Sequence, residues 1–115
     1  MQVNRRRGEI SAVLDGKVCR LCLTLGALAE LEDAFAVEDI ASLVQRFSSG
    51  RFSARDLGRV IAAGLRGGGN AVSDEDVAAM TCEGGAAGFA AIVSELLSAT
   101  FGEAERIADG PGGNP

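Results

Sequence analysis

Apolar and polar residues alternate twice in quick succession near the start of the chain. The first run is Glu9-Ile10-Ser11-Ala12-Val13-Leu14 and the second Lys17-Val18-Cys19-Arg20-Leu21-Cys22-Leu23. A period of two predicts β-strands. Asp15-Gly16 between them is a two-residue turn signal, so the pair reads as a hairpin. That turn sets Leu14 opposite Lys17, Ala12 opposite Cys19 and Ile10 opposite Leu21. One face then carries Ile10, Ala12, Leu14, Cys19, Leu21 and Leu23, the other Glu9, Ser11, Val13, Val18, Arg20 and Cys22. A lone hairpin is marginal in water, so the apolar face is expected to pack on the helices that follow.

Beyond Leu23 the period changes to that of a helix. Thr24 is placed to cap a helix over residues 25–36 with Leu28, Leu31 and Phe35 on one stripe. Ile40, Leu43, Val44 and Phe47 define a second over 38–48, stopped by Gly50. Ser53 with Asp56, and Ser73 with Asp76, have capping-box spacing and open a third and a fourth helix. Phe52 and Leu57 bracket the first box, Val72 and Val77 the second. The third helix carries Leu57, Val60, Ile61 and Leu65 and ends at Gly67-Gly68-Gly69, read as a flexible turn. Gly84-Gly85 cuts the fourth short. Phe89, Ile92, Val93, Leu96, Leu97 and Phe101 then give the most apolar stripe, expected to form the central packing helix. From Glu103 the sequence turns to Gly, Pro and charge. The expectation is therefore an α+β fold: an N-terminal β-hairpin followed by a small bundle of four to five helices. It forms a single domain over residues 1–102, with a flexible C-terminal tail over 103–115.

Composition narrows the function classes. Of 115 residues, 47% are hydrophobic and 23% charged, which suits a folded globular chain rather than a disordered one. No uninterrupted apolar run approaches the ~20 residues of a membrane span, and no secretory leader pattern is visible, so a cytoplasmic protein is expected. A net charge of −5 argues against general nucleic-acid binding. Arg5-Arg6-Arg7 reads as a solvated flank. Arg51, Arg55 and Arg59 on the third helix are the best case for a small DNA-binding regulator, and Asp56 offsets them.

No catalytic constellation emerges. Without histidine there is no Ser-His or Cys-His pair. Glu32-Asp33, Glu38-Asp39 and Asp74-Glu75-Asp76 sit at helix starts or on polar faces, where capping and solvation explain them. Arg66-Gly67-Gly68-Gly69 lacks the pattern of a phosphate-binding loop. Cys19 and Cys22 have CxxC spacing, but residues three apart in a strand face opposite ways, and Cys82 is remote. No metal, cofactor or enzymatic activity is expected. The candidate site is instead a protein-binding one: Val13, Val18 and Cys22, apolar residues on the outer face of the hairpin, where sheet propensity is the competing explanation; this face, or the open edge beside it, is expected to receive another copy or a client segment.

The order of motifs carries the reading further. Arg7-Gly8-Glu9, Leu14-Asp15-Gly16-Lys17, Leu25-Gly26-Ala27-Leu28-Ala29-Glu30-Leu31-Glu32, Gly50-Arg51-Phe52-Ser53-Ala54-Arg55-Asp56-Leu57, Ala63-Gly64-Leu65-Arg66-Gly67-Gly68 and Val72-Ser73-Asp74-Glu75-Asp76-Val77 follow one another across residues 7–101. In this order they resemble the tail assembly chaperones of phage-like gene transfer agents and related prophages, a family also labelled tail tube or minor tail protein. The resemblance implies a non-enzymatic role in virion morphogenesis. Its expected partners are the tape-measure protein, with tail tube protein or a second copy of the chain as further candidates. The alternative it leaves open is a structural tube or minor tail component retained in the particle.

Overall fold

The structure, a computed structural model, describes residues 8–50 and 52–109, with side chains described through residue 102. Strands β1 (Glu9–Leu14) and β2 (Lys17–Cys22) precede helices α1 (Leu25–Ala34), α2 (Ile40–Ser48), α3 (Ala54–Gly67), α4 (Asp74–Ala78) and α5 (Gly85–Asp109). The fold is α+β, an antiparallel hairpin followed by five helices.

The hairpin has the expected register, from Leu14↔Lys17 to Glu9↔Cys22. Asp15 and Gly16 both take positive φ, 54° and 75°, which defines a type I′ turn. Its twist matches that of the strands, and Asp and Gly tolerate the left-handed region. Ile10, Leu14, Leu21 and Leu23 are buried, while Ala12 and Cys19 are half-buried on the same face.

Local capping chemistry starts the helices. Thr24 accepts from the Ala27 N–H at 3.1 Å and Asp39 from the Ser42 N–H at 2.8 Å. Ser53–Asp56 and Ser73–Asp76 form reciprocal capping boxes. α2 begins two residues later than the pattern predicts, because Glu38 and Asp39 serve as approach and cap. α4 is a single five-residue turn. At the end of α1, Val37 N–H donates to Glu32 O at 3.0 Å and Ala36 N–H to Asp33 O at 3.2 Å. This Schellman closure puts Ala36 at φ 56°, where glycine is usual.

The central helix is α3 and not, as the stripe predicts, α5. Residues Val60 through Leu65 are all buried, and α3 packs against β2, α1, α4 and α5. Three of those six residues are Ala62, Ala63 and Gly64, small enough to admit neighbours on every side. α5 buries Val93 and Leu96 and leaves Leu97 half-covered. It also reaches further than the stripe, its helical backbone continuing past Glu103 to Asp109. Gly85–Gly102 is long and apolar enough to match a membrane span in length and composition, although only 11% of it is buried. Ser94-Glu95 divides this window, so it contains no uninterrupted apolar run of spanning length.

The three glycines after Arg66 form a docking surface rather than a flexible turn. A Cβ at Gly67 would strike the Cys22 carbonyl, and one at Gly68 the Arg20 carbonyl. Gly69, at φ 97°, closes a second Schellman motif with Asn70 N–H donating to Leu65 O at 2.8 Å. The Asn70 side chain then donates to Arg20 O at 2.9 Å, and Arg20 Nε donates to Gly68 O at 3.3 Å. The C-terminus of α3 is thereby bonded to the outer edge of β2.

Candidate functional site

The outer face of the hairpin carries the candidate residues. Val13 and Val18 pair directly across the strands and are 55% and 59% exposed. Cys22 pairs with Glu9 at the far end of that face and is half-buried. The three share a face, but Ser11 and Arg20 separate the valine pair from Cys22. The apolar patch is therefore the valine pair itself, with Cys22 beside the α3 docking surface.

Two further features stand apart from the valine pair. The first is a cleft of about 280 Å³ between α2 and α5, lined by Val44, Phe47, Phe52, Val93, Leu97 and Phe101. Phe47 also meets Phe35 edge-on at 5.3 Å and Phe52 at 5.7 Å, so one wall is a rigid aromatic cluster. Each helical stripe predicts that its own side is covered, yet the cleft opens between the two stripes. The second feature is the outer edge of β1, described below.

Most charged groups near these surfaces have structural work. Arg46 pairs with the nearly buried Asp56 at 3.2 Å and lies over the Phe35 ring at 4.9 Å. Arg66 joins three segments: it bonds Glu30 on α1, Asp74 on α4 at 3.2 Å, and the Val72 carbonyl at 3.0 Å. Partial burial disfavours its charge, but the hydrogen bonds and attraction of Glu30 and Asp74 outweigh this and raise its pKa. Arg59 donates to the Ala34 carbonyl at 3.1 Å and so closes the end of α1. Of the arginines considered for DNA contact, Arg59 is thus engaged within the fold, Arg55 borders an open surface, and Arg51 lies outside the described residues. Arg5-Arg6-Arg7 also lies outside them.

The cysteines do not converge. Cys19 and Cys22 occupy opposite faces of β2, and Cys82 lies in the connection from α4 to α5, where its thiol donates to Gly85 O at 3.5 Å. Among the described residues, no three His, Cys, Asp or Glu side chains group as metal ligands. What the geometry offers chemically is apolar contact and backbone pairing.

The family model described as "Phage tail tube protein, GTA-gp10" matches residues 7–103. Neither the curated proteins nor the solved structures yield a match.

Proposed function

The chain belongs to the phage tail tube protein, GTA-gp10 family, and is a phage-type tail protein; from that premise we propose that it acts as a tail assembly chaperone in the cytoplasm of the producing cell. The observation that carries the reading is an acidic domain with uncovered apolar surface, in the Val13–Val18 pair and in the α2–α5 cleft. A long helical tape-measure protein exposes apolar stripes before the tube encloses it, and such stripes aggregate. A small domain of net charge −5 bound along them covers apolar area and adds like charge that keeps complexes apart. Binding of this kind is reversible and needs no catalytic group, cofactor or nucleic acid.

The second reading, a subunit retained in the tube, is favoured by the family's description. Against it stands the small amount of β-structure, a two-stranded sheet among the described residues. Co-expression with the tape-measure protein from the same tail gene cluster tests the first reading. The expected result is a raised soluble yield and a complex that survives gel filtration. A tape-measure protein equally soluble alone, with no complex, overturns it. Stoichiometric recovery of the chain from purified particles by mass spectrometry establishes the second reading.

A further inference from the structure

Backbone N–H and C=O groups along the hairpin edges need partners when the chain folds. The type I′ turn makes Leu14↔Lys17 a hydrogen-bonded pair, so Ala12↔Cys19 and Ile10↔Leu21 are bonded as well. The peptide groups of Val18, Arg20 and Cys22 therefore point outward from β2, and those of Ser11 and Val13 outward from β1. On the β2 side, Asn70 takes the Arg20 carbonyl and Gly67 lies against that of Cys22. On the β1 side no such cover exists: among the described residues, nothing hydrogen-bonds the outward N–H and C=O of Ser11 or Val13. Both residues are exposed. Natural edges of this kind are usually blunted by a lysine, a proline or a bulge. Ser11-Ala12-Val13 has none of these.

We propose that the β1 edge pairs with the β1 edge of a second copy of this chain, giving a four-stranded sheet in the order β2-β1-β1-β2. A two-fold axis through Ala12 sets Ser11 of each copy opposite Val13 of the other. The four outward N–H groups and four outward C=O groups then form four hydrogen bonds. Ala12 meets Ala12 at a non-hydrogen-bonded position, where Cα atoms approach most closely and a small side chain fits best. The core face of the joining strand must present apolar residues at alternate positions, and β1 itself does so. Ile10 of one copy falls opposite Leu14 of the other, extending the buried row. The paired triplet itself carries no charge; at its ends the register sets Glu9 of each copy opposite Asp15 of the other, whose carboxylate is held by Thr81. β1 also packs over α5, and a strand added beside it lies over the flank of that largely uncovered helix.

This pairing does not rest on the chaperone reading, since it is argued from the hairpin's backbone groups alone. The test is light scattering coupled to gel filtration across a dilution series of the full chain. A concentration-dependent dimer is expected. The double variant Ser11→Lys/Val13→Lys sets two Lys–Lys pairs across the junction and weakens self-association by about tenfold or more. Mixing it with Ser11→Glu/Val13→Glu restores a heterodimer, visible by native mass spectrometry. Should a charged variant fail to fold by circular dichroism, amide exchange of the native chain decides: Ser11 and Val13 slow as concentration rises. A native chain that stays monomeric throughout, a dimer indifferent to both double variants, or exchange at Ser11 and Val13 independent of concentration each overturns the proposal.

Discussion

Asp15 and Thr81 hold each other through three hydrogen bonds across 66 residues of sequence. Asp15 Oδ1 accepts from the Thr81 N–H at 2.8 Å and from its hydroxyl at 3.1 Å, and the Asp15 N–H donates to the Thr81 carbonyl at 2.9 Å. The tip of the hairpin is thus tied to the connection between α4 and α5. The same residue supplies the positive φ of the turn, so one side chain serves local and long-range structure together.

Substitutions at Asp15 separate the two roles. Asp15→Asn keeps an acceptor and tolerates the left-handed region, and should lose less than about 1 kcal/mol. Asp15→Gly keeps the conformation but not the acceptor, at a cost of about 1–2 kcal/mol. Asp15→Ala loses both, at about 2–3 kcal/mol. Urea unfolding ranks them, and a glycine variant less stable than the alanine variant contradicts the assignment.

Glycine substitutions should divide by space. Gly67→Ala and Gly68→Ala push a methyl group into β2 carbonyls and should each destabilise by about 1–3 kcal/mol or more. Gly58→Ala, inside α3 with nothing within 4 Å of the added atom, should stabilise by about 0.5–1 kcal/mol. Ala36→Gly relieves the left-handed strain at the end of α1 and should gain about 1 kcal/mol. Thermal melts of the four variants check the signs.

Leu96 is fully buried, whereas its neighbour Leu97 lines the α2–α5 cleft. Leu96→Ala should cost about 2–5 kcal/mol through lost transfer energy and a cavity. Leu97→Ala should cost clearly less, because part of that side chain meets solvent already. Equal losses in denaturant midpoint are inconsistent with an open cleft.

Asp39 gives the start of α2 an acid-sensitive cap. The backbone hydrogen bond from Ser42, then the contact with its hydroxyl, holds the carboxyl below its ordinary value of 3.8. A lowered folded-state value means the stabilisation is present above the unfolded value and is lost as pH falls through the folded one. The Ser42 amide should therefore lose exchange protection as pH drops below 3.8. Asp39→Asn, which caps without titrating, should remove that dependence while leaving α2 in place at neutral pH. Identical acid profiles for the two proteins exclude this role.

The sequence by itself determined what depends on neighbours a few residues apart. Asp15-Gly16 and the alternation around it set the hairpin register, because a one-residue slip would turn every side chain to the wrong face. Ser53 with Asp56, and Ser73 with Asp76, set helix starts, because the bonds they make close within one turn. The outward Val13–Val18 pair followed from that register. Only the tertiary structure decided which helix is central, since apolar periodicity records that a face is buried but not how many partners cover it. α5, with the strongest stripe, remains half-covered, while α3 is enclosed through Ala62, Ala63 and Gly64. It also decided the meaning of Gly67 and Gly68: a glycine needed for backbone approach and a glycine in a loose turn are written with the same letter. Which edge of the hairpin stays open was decided there too, because α3 reaches β2 through contacts 48 and 50 residues apart and leaves the outward backbone groups of Ser11 and Val13 without a partner among the described residues.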